Sequence, residues 1–405
     1  MTFGEDYLKL LAQIGNFTKE VTGVNVIDAY FGPENLSSEK VKRRWTPERL
    51  LIKLDMLIGK AKEIDDELRR INVISDLESL KVVVQWLLGE NIPYTRLVQG
   101  IFGITPHKFG QNEIRRAQQM VEDASSTFPG SDVAEKVMEW TERSKVSGES
   151  LKKMVNTVIV ERTREITRLF EKQVFAHFPT KVENNGVIYK TVTDQPWGAY
   201  NYYQGDYTSI NVFNIDRSFN RYRLIMALCH EYEHHVSNLF TERYYRENKT
   251  LDLSAVLLHT KRCIISEGTA DCARDFLGLQ LSEEYCEFIE SLSKLRRMIG
   301  LNVAYMLNVE KVNDETAAEY VASEGFLPKE EARKGIGFSK PLTPDGKPNF
   351  FKPYVYTYFF GRRDYVLPTF LKAQKKGKVK EFFQTLYLNP YSRSSATWKI
   401  AFSKI

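Results

Sequence analysis

The chain has 405 residues, of which 42% are hydrophobic and 27% charged, with a formal charge of +5. That length can bury a substantial core, as one large domain or two unequal ones, and the composition excludes wholesale disorder. The densest basic stretch, Lys372 to Lys380, is short enough to be a solvated helix end, and no segment approaches the roughly 20 apolar residues of a membrane span, so neither nucleic acid nor membrane is expected as a partner.

Helical periodicity dominates in chain order. Thr46-Pro47-Glu48 reads as an N-cap, a first-turn proline and an acid matched to the helix dipole. It opens a segment that sets Leu50, Leu51, Leu54, Leu57, Ile58, Ala61, Ile64 and Leu68 on one stripe. Further helices are predicted near 74–89, 111–125, 131–145 and 149–176, separated by turn signals such as Phe128-Pro129-Gly130-Ser131 and Ser147-Gly148. The pattern changes at about residue 180. Residues 187–192 and 209–215 are short, β-branched and aromatic, as strands are, with a turn-rich aromatic connection, Pro196 to Tyr207, between them. Long helices are predicted again over about 221–247, 252–279 and 281–308. A loop from Pro341 to Pro353 precedes a last one from about Tyr354 to Lys375. The expectation is a mainly α fold with a deep groove and a small antiparallel sheet beside the histidine-bearing helix. A helical region, 1–180, and a catalytic region, 181–405, would form one integrated fold.

Three of the six histidines fall in one window, CHEYEHH, residues 229–235. His230 and His234 are four apart, so on a helix they project from one face and can reach one tetrahedral metal ion. Glu231, beside the first, is then placed as general base for water, the HExxH arrangement. A solvated polar helix face is the plain alternative. The neighbours Leu224, Ile225, Leu228, Val236, Leu239 and Phe240 argue against it, because burying imidazoles and carboxylates without a partner is costly. A third ligand is expected from helix geometry. From His234 to a turn at 248–250, and from Leu251 onward to Glu267, two arms of roughly 20 and 24 Å would bring Glu267 back to the histidines. Asp271, one turn beyond, is placed to accept a hydrogen bond from a ligand imidazole. Two histidines and one glutamate leave a fourth position for water, which is the catalytic form of a zinc site. One Zn2+ per chain is therefore the cofactor expected. Cys229, next to His230 but about 100° around the helix, reads as a small buried hydrophobe. Four cysteines with no CxxC pair, and an N-terminus without signal-peptide features, suggest a reducing cytoplasm.

The developing oxyanion needs a donor, and KPYVYTYFFGRRDY, residues 352–365, offers tyrosines. Tyr354, Tyr358, Gly361 and Tyr365 share a helical face, with aromatic core packing as the ordinary alternative for any one of them. Arg362 is a candidate for a substrate carboxylate, and Tyr354 for a further substrate contact.

HEYEHH followed by SEGTAD (Ser266 to Asp271) resembles the gluzincin metallopeptidases, in which HExxH is followed by a glutamate ligand within ExxxD. The chain also resembles a mostly uncharacterised helical family distantly related to carboxypeptidase Taq and thimet oligopeptidase. DAYFGP (Asp28 to Pro33), the segment Asp194 to Asp216 and the step Tyr358-Phe359-Phe360-Gly361 carry that likeness. The resemblance implies zinc on His230, His234 and Glu267, Glu231 as base, Asp271 behind the ligands and Tyr358 as oxyanion donor. It further implies that the strand Ser209 to Ile215, with Asn211 and Phe213, pairs with an extended peptide. Many relatives carry an extra Pro-Gly step before paired histidines, where this chain reads simply HEYEHH. His235 points about 100° away from His234 and is not counted as a ligand. The leading expectation is a zinc metallopeptidase acting on short peptides, as carboxypeptidase or oligopeptidase. A non-catalytic scaffold with a structural zinc, and a zinc hydrolase of a non-peptide amide, stay open. Oligomeric state is not legible.

Overall fold

The computed structural model describes residues 2–195, 197–279 and 285–405. The chain opens with a helix that the sequence reading did not anticipate, Phe3–Thr22. Thr2 and Glu5 close a reciprocal capping box at its start, and Gly23, at φ 83°, ends it in the left-handed region that glycine tolerates. The helix Pro47–Ala61 begins where the proline and cap require, with the Thr46 hydroxyl accepting from the Arg49 amide. It buries Leu50, Leu54, Leu57 and Ala61 but stops before Ile64 and Leu68. The next helix, Glu67–Leu88, starts a full two turns earlier than expected because Asp66 caps it. Tyr94–Phe102, Gln111–Ala124 and Val133–Ser144 follow. The long helix expected over 149–176 is broken into Gly148–Met154, a π-helical stretch Val155–Ile159, and Val160–Gln173.

The sheet corrects two expectations. It is mixed rather than antiparallel: Thr208–Asn214 lies in the centre, parallel to Gly186–Val192 and antiparallel to Ala199–Gly205. The expected connection is thus largely a third strand, and it lies at the sheet's edge. In it Asn201, Tyr203 and Gly205 turn inward while Tyr202 and Gln204 turn out, the period-two alternation of a half-buried strand. Pro196, the start of that connection, lies outside the described residues.

A 25-residue helix, Leu224–Asn248, packs against the sheet and carries the histidines. Its end is closed by Lys249 at φ 55°. The return path is not the helical arm expected over 252–279. Residues 255–257 form a short strand paired antiparallel with Ile27–Tyr30, and the α-helix begins only at Arg262, running to Leu277. Cys286–Tyr305 follows, and residues 281–284 of the helix expected there lie outside the described residues. The last expected long helix is also interrupted: Val355–Phe360, a π-helical stretch Gly361–Val366, then Leu367–Lys375. The fold is mainly α. Buried side chains from both sides of residue 180 join one continuous core, from Leu8 and Leu80 to Val236, Ile264 and Phe382. Among the described residues, no helix is long and apolar enough to cross a membrane.

Candidate metal centre

Four residues apart on one helix, His230 and His234 aim their Nε2 atoms at a common point, 3.1 Å from each other. Glu267, from the helix Arg262–Leu277, brings Oε2 to 3.2 Å from His230 Nε2 and 3.7 Å from His234 Nε2. Tetrahedral ligands about 2.0–2.1 Å from one ion sit about 3.3 Å apart, which is the spacing found. The proton positions strengthen the fit. Asp271 Oδ1 lies 3.1 Å from His230 Nδ1, and since a carboxylate only accepts, the proton belongs on Nδ1 and the lone pair on Nε2. Glu267 Oε2 is buried with no hydrogen-bond partner among the described residues. Lone pairs and a buried carboxylate oxygen facing one another call for a cation between them. The donor set of two imidazoles and one carboxylate suits zinc.

Surrounding groups fix these ligands in place. Asp271 receives a two-pronged contact from Arg297, at 2.5 and 2.9 Å, and Arg297 also reaches the Tyr358 carbonyl at 3.3 Å. Burial works against the Asp271 carboxylate, but the Arg297 guanidinium and His230 hold it well below the usual range. Burial likewise opposes the Glu267 charge, and His230 and His234 outweigh it, bringing the carboxyl down to about 2. The Tyr354 hydroxyl donates to Glu267 Oε1 at 2.8 Å, and Ser266 Oγ lies 3.3 Å from His234 Nδ1. These contacts set ring and carboxylate orientation, as partners behind metal ligands commonly do.

The tyrosine-bearing segment is clamped to the glutamate helix by paired glycines. A Cβ on Gly268 would overlap the Gly361 backbone, and one on Gly361 would overlap the Ile264 carbonyl. Gly361 also begins the π-helical stretch, and such widened turns recur at functional sites.

Glu231, His230, His234 and Glu267 line one cavity of about 140 Å³, together with Tyr354, Tyr358 and Asp28. Burial raises the Glu231 carboxyl above its ordinary value, with His230 and His234 pulling the other way. The Tyr358 ring lies 6.3 Å from the His230 ring. Its hydroxyl has no hydrogen-bond partner among the described residues and so is available to a ligand. Asp28, carried by the short strand Ile27–Tyr30, accepts from the Tyr200 hydroxyl across the cavity wall, and burial pushes its carboxyl up to about 6.

The structure brings His230, Glu231, His234, Glu267, Asp271, Tyr354 and Tyr358 together as the sequence led us to expect, and redirects three other residues. Asn211 and Phe213 are fully buried in the central strand, whose two edges are both paired, and neither faces the cavity. The strand that lines it is Ala199–Gly205, through Ala199, Tyr200 and Asn201. Arg362 turns away as well, holding Asp275 and the Asp271 carbonyl, the latter at 2.8 Å. Tyr354 lines the cavity, but its hydroxyl is committed to Glu267. Asp28 and Ser266 stand within the DAYFGP and SEGTAD motifs, but local spacing marks no role for either. Arg297 carried no local signal at all, being 26 residues from its partner.

Neither family models nor curated proteins give a match to this chain. Among solved structures the fold is similar to that of a candidate lipoprotein from Colwellia psychrerythraea, at 15% identity and a TM-score of 0.54, covering 96% of this chain and 69% of that one. It is also similar to a candidate lipoprotein of unknown function from Shewanella oneidensis, at 13% identity and a TM-score of 0.50, covering 88% and 72%. At these identities the likeness is one of fold.

Proposed function

We propose that this protein is a zinc-dependent peptidase acting on short peptides, with one zinc held by His230, His234 and Glu267. The observation that carries the reading is the convergence of two imidazole Nε2 atoms and an unpartnered carboxylate oxygen in a cavity that also holds Glu231 and Tyr358. A purely structural zinc takes four protein ligands, whereas three converge here among the described residues. Zinc in that place supplies a Lewis acid that polarises the peptide carbonyl and eases the deprotonation of water.

The chain's own groups account for the rest. Glu231 takes a proton from water as its oxygen attacks the carbonyl carbon, then passes that proton to the departing amine nitrogen as the carbon–nitrogen bond breaks. The Tyr358 hydroxyl donates to the carbonyl oxygen as negative charge gathers there. Asp271 and Tyr354 keep His230 and Glu267 in position throughout. The outer side of Ala199–Gly205 has no ladder partner among the described residues, and its first residues line the cavity, which supports an extended peptide as substrate.

The test is digestion of a mixed peptide library by wild type and Glu231→Gln, each loaded with zinc. The expected loss on substitution is on the order of 100- to 10,000-fold with zinc content unchanged. Equal cleavage by both, or none that depends on zinc, would sink the proposal.

A further inference from the structure

The cavity does not end at the metal centre. It runs along the histidine helix past Ser237, Asn238 and Thr241, walled on one side by Val256, Leu257 and Leu258. Among the described residues lining it, the permanent cations are Arg262 and Arg393. They come from distant parts of the chain, the first turn of the glutamate helix and a turn near the C-terminus.

Arg262 faces one acid, the buried Asp76, and Arg393 has none within salt-bridge range among the described residues. Arg393, only 6% exposed, donates to the Ser237 carbonyl at 2.9 Å and to the Thr241 hydroxyl, and has no salt-bridge partner among the described residues. Its buried neighbour Glu233 commits Oε1 to the Ser237 hydroxyl at 2.7 Å and to the Tyr387 hydroxyl at 3.0 Å, and its Oε2 has no hydrogen-bond partner among the described residues. Arg262 comes within 3.7 Å of Asp76, too far for a hydrogen bond. Burial and the nearby Arg262 lower Arg393 to about 10, which leaves it charged at neutral pH. Two guanidiniums with donors to spare at one end of the cavity are suited to a shared anion.

Their position defines that anion. Ser237 lies three residues beyond His234, and Arg262 five residues before Glu267 on the helix that returns beside it. At about 1.5 Å per residue, both guanidiniums are anchored roughly 4.5–7.5 Å from the metal centre along the helix axes, in the same direction. An extended peptide advances about 3.4 Å per residue, so this offset spans one to two residues. A planar carboxylate is the group that guanidinium donors match best. Resting on the peptidase reading above, we infer that Arg262 and Arg393 hold the free C-terminal carboxylate of the substrate, so that the enzyme trims one or two residues from the C-terminus.

The experiment pairs two N-acetylated pentapeptides of one sequence, ending in a free carboxylate or in an amide, with zinc-loaded wild type, Arg393→Gln and Arg262→Gln. Wild type is expected to favour the acid on the order of 100-fold in kcat/KM, chiefly through KM, and to release one or two residues. Each substitution is expected to bring the acid-to-amide ratio toward one. Arg262→Gln covers the case in which the more buried Arg393→Gln fails to fold. Equal cleavage of acid and amide by wild type, or an undiminished preference in both variants, overturns the inference and leaves the peptidase reading standing. If neither peptide is cut, the peptidase reading falls. Calorimetric titration of both peptides onto wild type and Arg262→Gln then decides the carboxylate site: tighter binding of the acid that depends on Arg262 supports it, and equal binding overturns it.

Discussion

His234 and His235 are neighbours on one helix, and the molecule puts the two imidazoles to opposite uses. His234 faces the cavity with Nε2 turned toward His230 and Glu267. His235, about 100° around the helix, is sealed against the sheet, with Nδ1 2.8 Å from Ser209 Oγ and Nε2 2.9 Å from Asn184 Oδ1. Burial pushes its pKa down to about 3, so it stays neutral and acts as a polar bolt between helix and sheet. Both ring nitrogens of His235 are thus satisfied within the chain. On the cavity face, Glu267 Oε2 and the Tyr358 hydroxyl are left open. Open polar atoms that converge on one point, rather than the presence of histidine, distinguish the cavity face.

Substitutions on the two faces should therefore fail in different ways. After Glu231→Gln, Tyr358→Phe is expected to cost the most, about 100- to 1,000-fold in kcat, with zinc affinity and melting temperature near wild type; an unchanged kcat would remove Tyr358 from the chemistry. His235→Ala is expected to cost about 3 kcal/mol of stability, because it removes the ring's hydrogen bonds to Ser209 and Asn184 and opens a void. Urea unfolding measures this, and its zinc stoichiometry should not change. Gly268→Ala breaks the clamp between the glutamate helix and the tyrosine segment, at about 2 kcal/mol. It couples the faces, so activity should drop alongside stability; a melting temperature equal to wild type would show that the glycine contact is loose. Tyr354→Phe should be the mildest, weakening zinc about tenfold through loss of one hydrogen bond to Glu267, as read by chelator competition.

The parts of the site legible in the sequence are those set by helical spacing. His230 and His234 follow from a four-residue interval, and Asp271 from its one-turn offset from Glu267. Helix length accounts for the position of Glu267 only in part, since the return arm is a strand before it is a helix. That strand exists because residues 255–257 find Ile27–Tyr30 more than 200 positions away, a pairing that no local pattern reports. The strand Ala199–Gly205 alternates in burial, yet its Asn201, Gln204 and Gly205 are poor strand formers and its composition reads as a turn. Thr2 and Glu5 spell a capping box ahead of an apolar run, a local signal for the first helix that the expectation omitted. Arg362 lies in the π-helical stretch Gly361–Val366 and is taken up by Asp275, a contact that local spacing does not report. Arg297, Arg262 and Arg393 reach the site only through tertiary packing, so a charge on a surface-like segment was indistinguishable from a solvated one.

The most direct test of the account is titration of zinc into metal-stripped wild type, His234→Ala and His235→Ala, with a chelator competing for the ion. Wild type and His235→Ala should each take one zinc per chain with similar affinity, and His234→Ala should lose tight binding. Tight stoichiometric zinc in His234→Ala, or none in wild type, would contradict it.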